Sequence, residues 1–201
     1  MARDTKQRLA DSLKSLLTVK TLDHITVKEI VAQCGINRQT FYYNFQDVYG
    51  LLDWIFQQEI SYISDPNSTW KDGFCRTIQY LRQNQKMILN AYHSVGRLRL
   101  ERYLTDALFP IMCRQASADA LKLHLTAQDR DFVAQLHTSA FLGILFSWMD
   151  RGMPDSTPVS LEQLAVLMDS SIQSMLRQMA KIRKNKSSTT SLPSDIPEKS
   201  L

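Results

Sequence analysis

Three cysteines in 201 residues, Cys34, Cys75 and Cys113, stand far apart with no C-x-x-C pair. That excludes a disulfide framework and a cysteine zinc site. So sparse and odd a set predicts a reducing compartment, with each thiol a small buried apolar group. Glycine is scarce at six, and leucine is far commoner than valine. Sheets and tight turns need β-branched and glycine-rich sequence, so this balance favours helices. No apolar run approaches the ~18–20 residues of a membrane span; residues 141–149 are the best candidate and fall well short. The first residues, Met1-Ala-Arg-Asp-Thr-Lys6, are polar, so no signal peptide is expected. The expectation is a cytoplasmic protein with no membrane partner.

Catalytic motifs are also missing. There is no G-x-S-x-G, P-loop, G-x-G-x-x-G or H-E-x-x-H. His24, His93, His124 and His137 lack cysteine or carboxylate neighbours at metal-ligand spacing. The chain reads as a non-enzyme with no catalytic residue, metal or cofactor.

The formal net charge is +4, which invites a nucleic-acid reading. Its distribution weakens that reading. Residues 1–55 carry seven Lys/Arg against six Asp/Glu, residues 56–176 eleven against twelve, and residues 177–201 six against two. The excess therefore lies in Arg177, Lys181, Arg183, Lys184 and Lys186, at the end of a helix whose dipole favours cations. If that end also touched DNA, deleting residues 184–201 would flatten the salt dependence of binding; little change is expected.

What is present is helical periodicity. Leu9, Leu13, Leu16 and Leu17 mark a first helix over about 4–20. Thr26-Val-Lys-Glu29 is a capping box, and it opens a short helix that Gly35 stops. Asn37 caps a second short helix from Arg38 to about Asn44, and Asp47 a longer one carrying Leu51, Leu52, Ile55 and Phe56. Three residues between Cys34 and Arg38 are too few for antiparallel packing and suit the near-perpendicular crossing of a helix-turn-helix. Asp65-Pro66-Asn67 breaks the chain. Further helices are expected at about 68–82, 85–95, 98–124, 127–151 and 161–183, with Pro110 kinking or splitting the third. Thr126–Asp129 and Ser160–Gln163 look like further capping boxes.

The chemistry concentrates in residues 25–45. Ile30, Val31, Ile36, Phe41 and Phe45 can form the small core that sets the angle between two helices. Arg38, Gln39, Thr40, Tyr42, Tyr43 and Asn44 are left largely outside it. Arg and Gln bond base edges, Thr packs a thymine methyl, and Tyr hydroxyls reach phosphate. Thr26, Lys28 and Asn37 complete the candidate DNA-binding set. The bland alternative is a three-helix bundle with an accidental helix-turn-helix shape, which the near-neutral local charge favours.

Residues 8–56 resemble the N-terminal domain of the TetR family of bacterial transcription regulators, whose pattern runs T-V-x-x-I-A-x-x-x-G-V-S-x-x-T-F/L-Y-x-H/Y-F and then K-x-x-L-L. Here stand Thr26-Val27, Ile30-Val31, Gly35-Ile36-Asn37, Thr40-Phe41-Tyr42-Tyr43-Asn44-Phe45 and Leu51-Leu52. Two departures matter. Val48 replaces the usual Lys that contacts phosphate, and Asn44 replaces the common His. Residues 81–87, 90–93, 141–143 and 148–153 are similar to the subgroup of dihydroxyacetone kinase regulators, some of which dock a protein co-regulator.

The resemblance implies an all-α fold of about nine helices. A helix-turn-helix DNA-binding domain at 1–46 would lead, through the helix from 47, into a helical regulatory and dimerisation domain at 47–184, with a disordered tail at 185–201. It also implies a homodimer on a palindromic operator, controlled by a small molecule or a partner protein. Candidate interface residues are Phe132, Leu136, Ala140 and Ile144, with Leu164, Met168, Ile172 and Met175. Candidate ligand-pocket residues are Tyr80, Met87, Tyr92, His93, Met112, Phe141 and Trp148, although a Met/aromatic stripe is more often plain core. Arg97, Arg99 and Arg102 form a basic cluster, with Glu101 the expected i+4 partner of Arg97. The competing reading is a co-regulator that kept the fold and lost DNA binding.

Overall fold

The computed structural model describes residues 2–63, 70–94, 96–155 and 161–189. Among them are nine α-helices, one 3-10 turn and no strand. The helices are α1 (Ala2–Leu17), α2 (Val27–Cys34), α3 (Arg38–Asn44), α4 (Val48–Ile63), α5 (Trp70–Gln83), α6 (Gln85–Tyr92), α7 (Gly96–Lys122), α8 (Ala127–Asp150) and α9 (Leu161–Thr189). The short turn Leu22–His24, not foreseen from sequence, joins α1 to α2 and buries Leu22.

The head is built as its caps dictate. The Thr26 hydroxyl accepts the Glu29 backbone N–H, and the Glu29 carboxylate accepts the Thr26 N–H at 2.9 Å, which closes the capping box. Gly35 ends α2 at φ +64°, where a Cβ would be strained. Asn37 Oδ1 accepts the Thr40 N–H at 2.7 Å, and Asp47 Oδ1 accepts the Gly50 N–H at 2.7 Å. Leu9, Leu13 and Leu17 of α1 close over Ile30, Val31, Phe41 and Phe45. Ser12, buried among them, donates to the Ile30 carbonyl at 2.8 Å and so avoids the cost of an unpaired hydroxyl.

This core runs without interruption through Leu51, Leu52, Ile55 and Phe56 of α4 into Phe74, Ile78, Tyr92, Phe141, Trp148 and Met149 of the body. A second core joins α7, α8 and α9 through Met112, Ala116, Ala120, Val133, Ala134, Ile172 and Leu176. Its three alanines allow close helix approach, and α7 with α8 forms the most extensive helix pair.

Helix α7 passes Pro110 without splitting. Both Pro110 and Asp106, one turn earlier, lie on the solvent side, so water can satisfy the carbonyl freed there, while Met112 and Ala116 anchor the following turns. Cys75 is exposed, and Cys34 and Cys113 are only half-buried. Taken whole, α8 is long and apolar enough by composition to cross a membrane, although residues 141–149 alone are not. However, 56% of its most apolar window is buried inside the fold, as in a core helix. Helix α9 continues to Thr189, beyond the expected end near 183. The expected tail from 190 on, the break at 65–67 and the Ser160 cap lie outside the described residues.

Candidate nucleic-acid interface

Helix α3 is held by its buried side and offers the other. Phe41 is fully buried, and its ring meets Phe45 at 6.0 Å. Arg38, Gln39, Tyr42 and Tyr43 project into solvent, Tyr43 at 91% exposure, and Thr40 is half-buried. The Arg38 guanidinium lies 5.6 Å from the Tyr42 ring centroid and donates to the Tyr42 hydroxyl at 3.2 Å. A stacked arginine stays planar, poised for bidentate contact, at reduced entropic cost. Lys28 is exposed in the first turn of α2.

Three members of the predicted set have local duties. The Thr26 hydroxyl and the Asn37 carboxamide oxygen are spent on caps, and Asn44 donates to the Thr40 carbonyl at 2.8 Å. They shape the reading helix; Lys28, Arg38, Gln39, Thr40, Tyr42 and Tyr43 are the predicted side chains that carry no cap or backbone bond. The half-buried Val48 packs into the core at the start of α4. Sequence reading passed over Lys6, which α1 brings within 5.6 Å of the Phe45 ring centroid. No local pattern links positions so far apart.

Three cations of the head, Lys14, Lys20 and Arg8, are already engaged within the chain. Lys14 pairs with Glu59 of α4, and Lys20 with Glu29. The Lys20 ammonium, reinforced by the Thr26 backbone and hydroxyl, pulls the Glu29 carboxyl down to about 2. Arg8 donates to the Cys34 carbonyl at 2.6 Å and secures the turn between α2 and α3.

The head is tied to the body at several points. Glu59 also accepts from Tyr80, whose pKa rises through burial and that carboxylate. Asn90 of α6 donates to the Leu17 carbonyl at 2.8 Å. Arg99 of α7 pairs with Asp53 and lies over the Tyr49 ring.

Five of the seven candidate ligand-pocket residues gather in one core, and Met112 and His93 lie outside it. Met87, Tyr92, Phe141 and Trp148 are buried in the main core with Tyr80 against it, Met112 belongs to the second core, and His93 is exposed. The polar atoms of the buried Tyr92 and Trp148 are taken. Tyr92 donates to Asp150 at 2.7 Å, with burial pushing its pKa up to about 12, and Trp148 Nε1 donates to the Pro154 carbonyl. Of the basic cluster, Arg97 pairs with Asp150 at 3.6 Å and not with Glu101, because it lies over the Tyr92 ring that Asp150 already anchors.

The interface candidates divide by helix. On α8, Phe132, Leu136, Ala140 and Ile144 are exposed along one stripe. On α9, Met168 and Ile172 are buried in this chain's own cores, with Leu164 and Met175 packed against them. The open face of α9 carries Val166, Leu167, Ser170, Ser171 and Ser174 instead. At its far end Arg183 grips the buried Asp129 at 2.6 Å. Burial pushes the Asp129 carboxyl upward, but hydrogen bonds from Thr126 and Arg183 outweigh it and leave the carboxyl below its usual value. Arg183 is thus an ion-pair partner and more than a complement to the helix dipole.

A capped helix-turn-helix head fused by one continuous core to an all-helical body is the architecture of a helix-turn-helix transcription regulator. Residues 68–170, just over half of the chain, match the TetR-type family described as "Transcriptional regulator C-terminal region". The chain belongs to the TetR-type transcription regulators. Over 84 residues it is 32% identical to the HTH-type dhaKLM operon transcriptional activator DhaS of Lactococcus lactis subsp. lactis (strain IL1403), a stretch of 40% of this chain and 45% of that protein. The match thus spans less than half of that relative's length. A solved structure, "Dihydroxyacetone kinase operon activator DhaS", superposes at TM-score 0.62 with 25% identity, covering 89% of this chain and 97% of that one. Both comparisons agree with the subgroup resemblance drawn from the sequence.

Proposed function

We propose that this chain is a cytoplasmic, sequence-specific regulator that binds a palindromic duplex operator as a homodimer and controls dihydroxyacetone kinase genes. The observation that carries the reading is the open face of α3. Arg38, Gln39, Tyr42 and Tyr43 stand clear of the core while Phe41 and the Asn37 cap hold the helix rigid. That leaves base- and phosphate-bonding groups on the surface that a major groove accepts. A single head reads few base pairs, so the exposed stripes of α8 and α9 would bring a second copy alongside. A small molecule or partner protein bound to the body would favour one head spacing over another, and without differential affinity nothing shifts. Arg99, Asn90 and Glu59 are the contacts through which the body can bias the head.

Mobility shift of the DNA upstream of this gene and of neighbouring dihydroxyacetone kinase genes tests the reading. A retarded band at low salt that disappears when Arg38 and Tyr42 become Ala is expected. No band, or a band indifferent to those changes, overturns it. The second reading, a co-regulator of the same fold that no longer binds DNA, is favoured by one observation, the apolar Val48 in place of the phosphate-contacting Lys.

A further inference from the structure

Helix α1 has a defined polarity relative to the body. Its C-terminal end is docked there, since the Leu17 carbonyl accepts from Asn90 of α6 and Lys14 pairs with Glu59 of α4. Eleven residues earlier, roughly 16 Å away along a helix rising ~1.5 Å per residue, Lys6 sits at the opposite end. There its ammonium lies 5.6 Å from the centroid of Phe45, the residue that closes α3. The Phe45 ring is itself fixed, buried between Phe41 at 6.0 Å and Trp54 at 6.1 Å. A cation over a rigid ring is positioned without being neutralised.

Lys6 stands out among the cations of the head. Lys14 and Lys20 are paired with carboxylates, and the Arg8 guanidinium is engaged by the Cys34 carbonyl. Of the head cations whose side chains are described, Lys6, Lys28 and Arg38 have neither a carboxylate nor a carbonyl partner. Two of these flank α3, Arg38 at its first residue and Lys6 beside its last turn. Val48, four residues past the end of α3, offers no charge there.

We infer that Lys6 is a phosphate-binding residue, reaching the DNA backbone from α1 at the end of α3 where the start of α4 supplies no cation. The assignment rests on the DNA-binding reading above. A phosphate contact releases a counterion, so it has its own signature. The slope of log affinity against log salt changes by about 0.9 per phosphate neutralised on duplex DNA.

The test is fluorescence anisotropy of the full chain with a labelled mixed-sequence duplex, titrated between about 50 and 200 mM salt, the range over which such contacts are felt. Circular dichroism confirms that each variant folds. Lys6→Gln is expected to flatten the slope by about 0.9, Lys6→Arg to keep it, and Lys122→Gln, far away at the end of α7, to leave it unchanged. A Lys6→Gln slope equal to the unaltered chain's overturns the assignment alone, as does equal flattening in Lys6→Arg, because charge is then not the cause. No binding by the unaltered chain even at low salt overturns the DNA reading and this assignment with it.

Discussion

At the scale of single residues, side chains that build the head and side chains that meet a partner can be told apart by what each already bonds. Tyr43 is 91% exposed, so Tyr43→Ala should leave the melting temperature unaltered, within the ~0.5 kcal/mol usual for surface sites. Losing Arg38 should weaken operator binding by about 1–3 kcal/mol through a lost base contact, and losing Tyr43, a phosphate contact, should weaken it alike on all sequences. Anisotropy titrations beside thermal melts check both halves; a stability loss with intact binding would reverse the assignment. Thr26→Ala should do the opposite, costing about 1 kcal/mol of stability through the lost cap, with Thr26→Ser restoring it. Glu29 adds a pH signature. Its carboxyl is held at about 2, against 4.5 for the free group, chiefly by Lys20. A lowered folded-state value contributes stability above pH 4.5 that is lost as pH falls toward 2. Glu29→Gln should therefore flatten the acid limb of the melting temperature in that window. An unchanged limb would show that the Lys20 contact does not hold in solution.

At the scale of elements, helix ends were more legible than helix faces. Caps are local, and the boxes at Thr26 and Thr126, the Asn37 cap and the Gly35 stop all formed where their spacing placed them. Faces depend on neighbours. Apolar residues surround α8 and α9, so helical period alone cannot say which side turns inward. Thus the α8 stripe through Phe132 and Ile144 lies open, whereas Met168 and Ile172 of α9 turned into the chain's own core. Contacts between distant positions, such as Lys6 with Phe45 or Asp129 with Arg183, leave no trace in a local window. Asp129 is only 3% exposed, and Arg183 reaches it from near the end of α9. Removing that partner leaves a buried carboxylate short of donors, which costs about 1–3 kcal/mol. Arg183→Ala should lower the melting temperature, whereas truncation after Lys184 should not. Equal losses in both would mean that the end of the helix, and not the ion pair, carries the stability.

At the scale of the whole molecule, two α3 helices must sit about 34–36 Å apart, or a multiple of that, to occupy successive major grooves on one side of a duplex. Only an assembly fixes such a distance. The body offers the means in the adjacent open stripes of α8 and α9, where Ala140, Gly143, Ser170 and Ser174 are small enough for close helix approach between the apolar Leu136, Ile144, Val166 and Leu167. Exposed apolar groups of this kind gain roughly 25 cal/mol per Å² when covered, and an arginine placed among them would have to be buried unpaired. Ile144 is 42% exposed in the single chain, so Ile144→Arg should fold normally yet sediment as a monomer and lose most operator affinity. Ile172, 1% exposed and one of the residues the sequence proposed for the same interface, should respond differently. Ile172→Arg forces a charge into the core between α7, α8 and α9 and should lower the melting temperature before it changes assembly. Sedimentation equilibrium paired with thermal melts separates the two outcomes. Dimers that persist in Ile144→Arg, or dissociation without destabilisation in Ile172→Arg, would move the dimer face away from the open α8 and α9 stripes, and with it the spacing of the two reading helices.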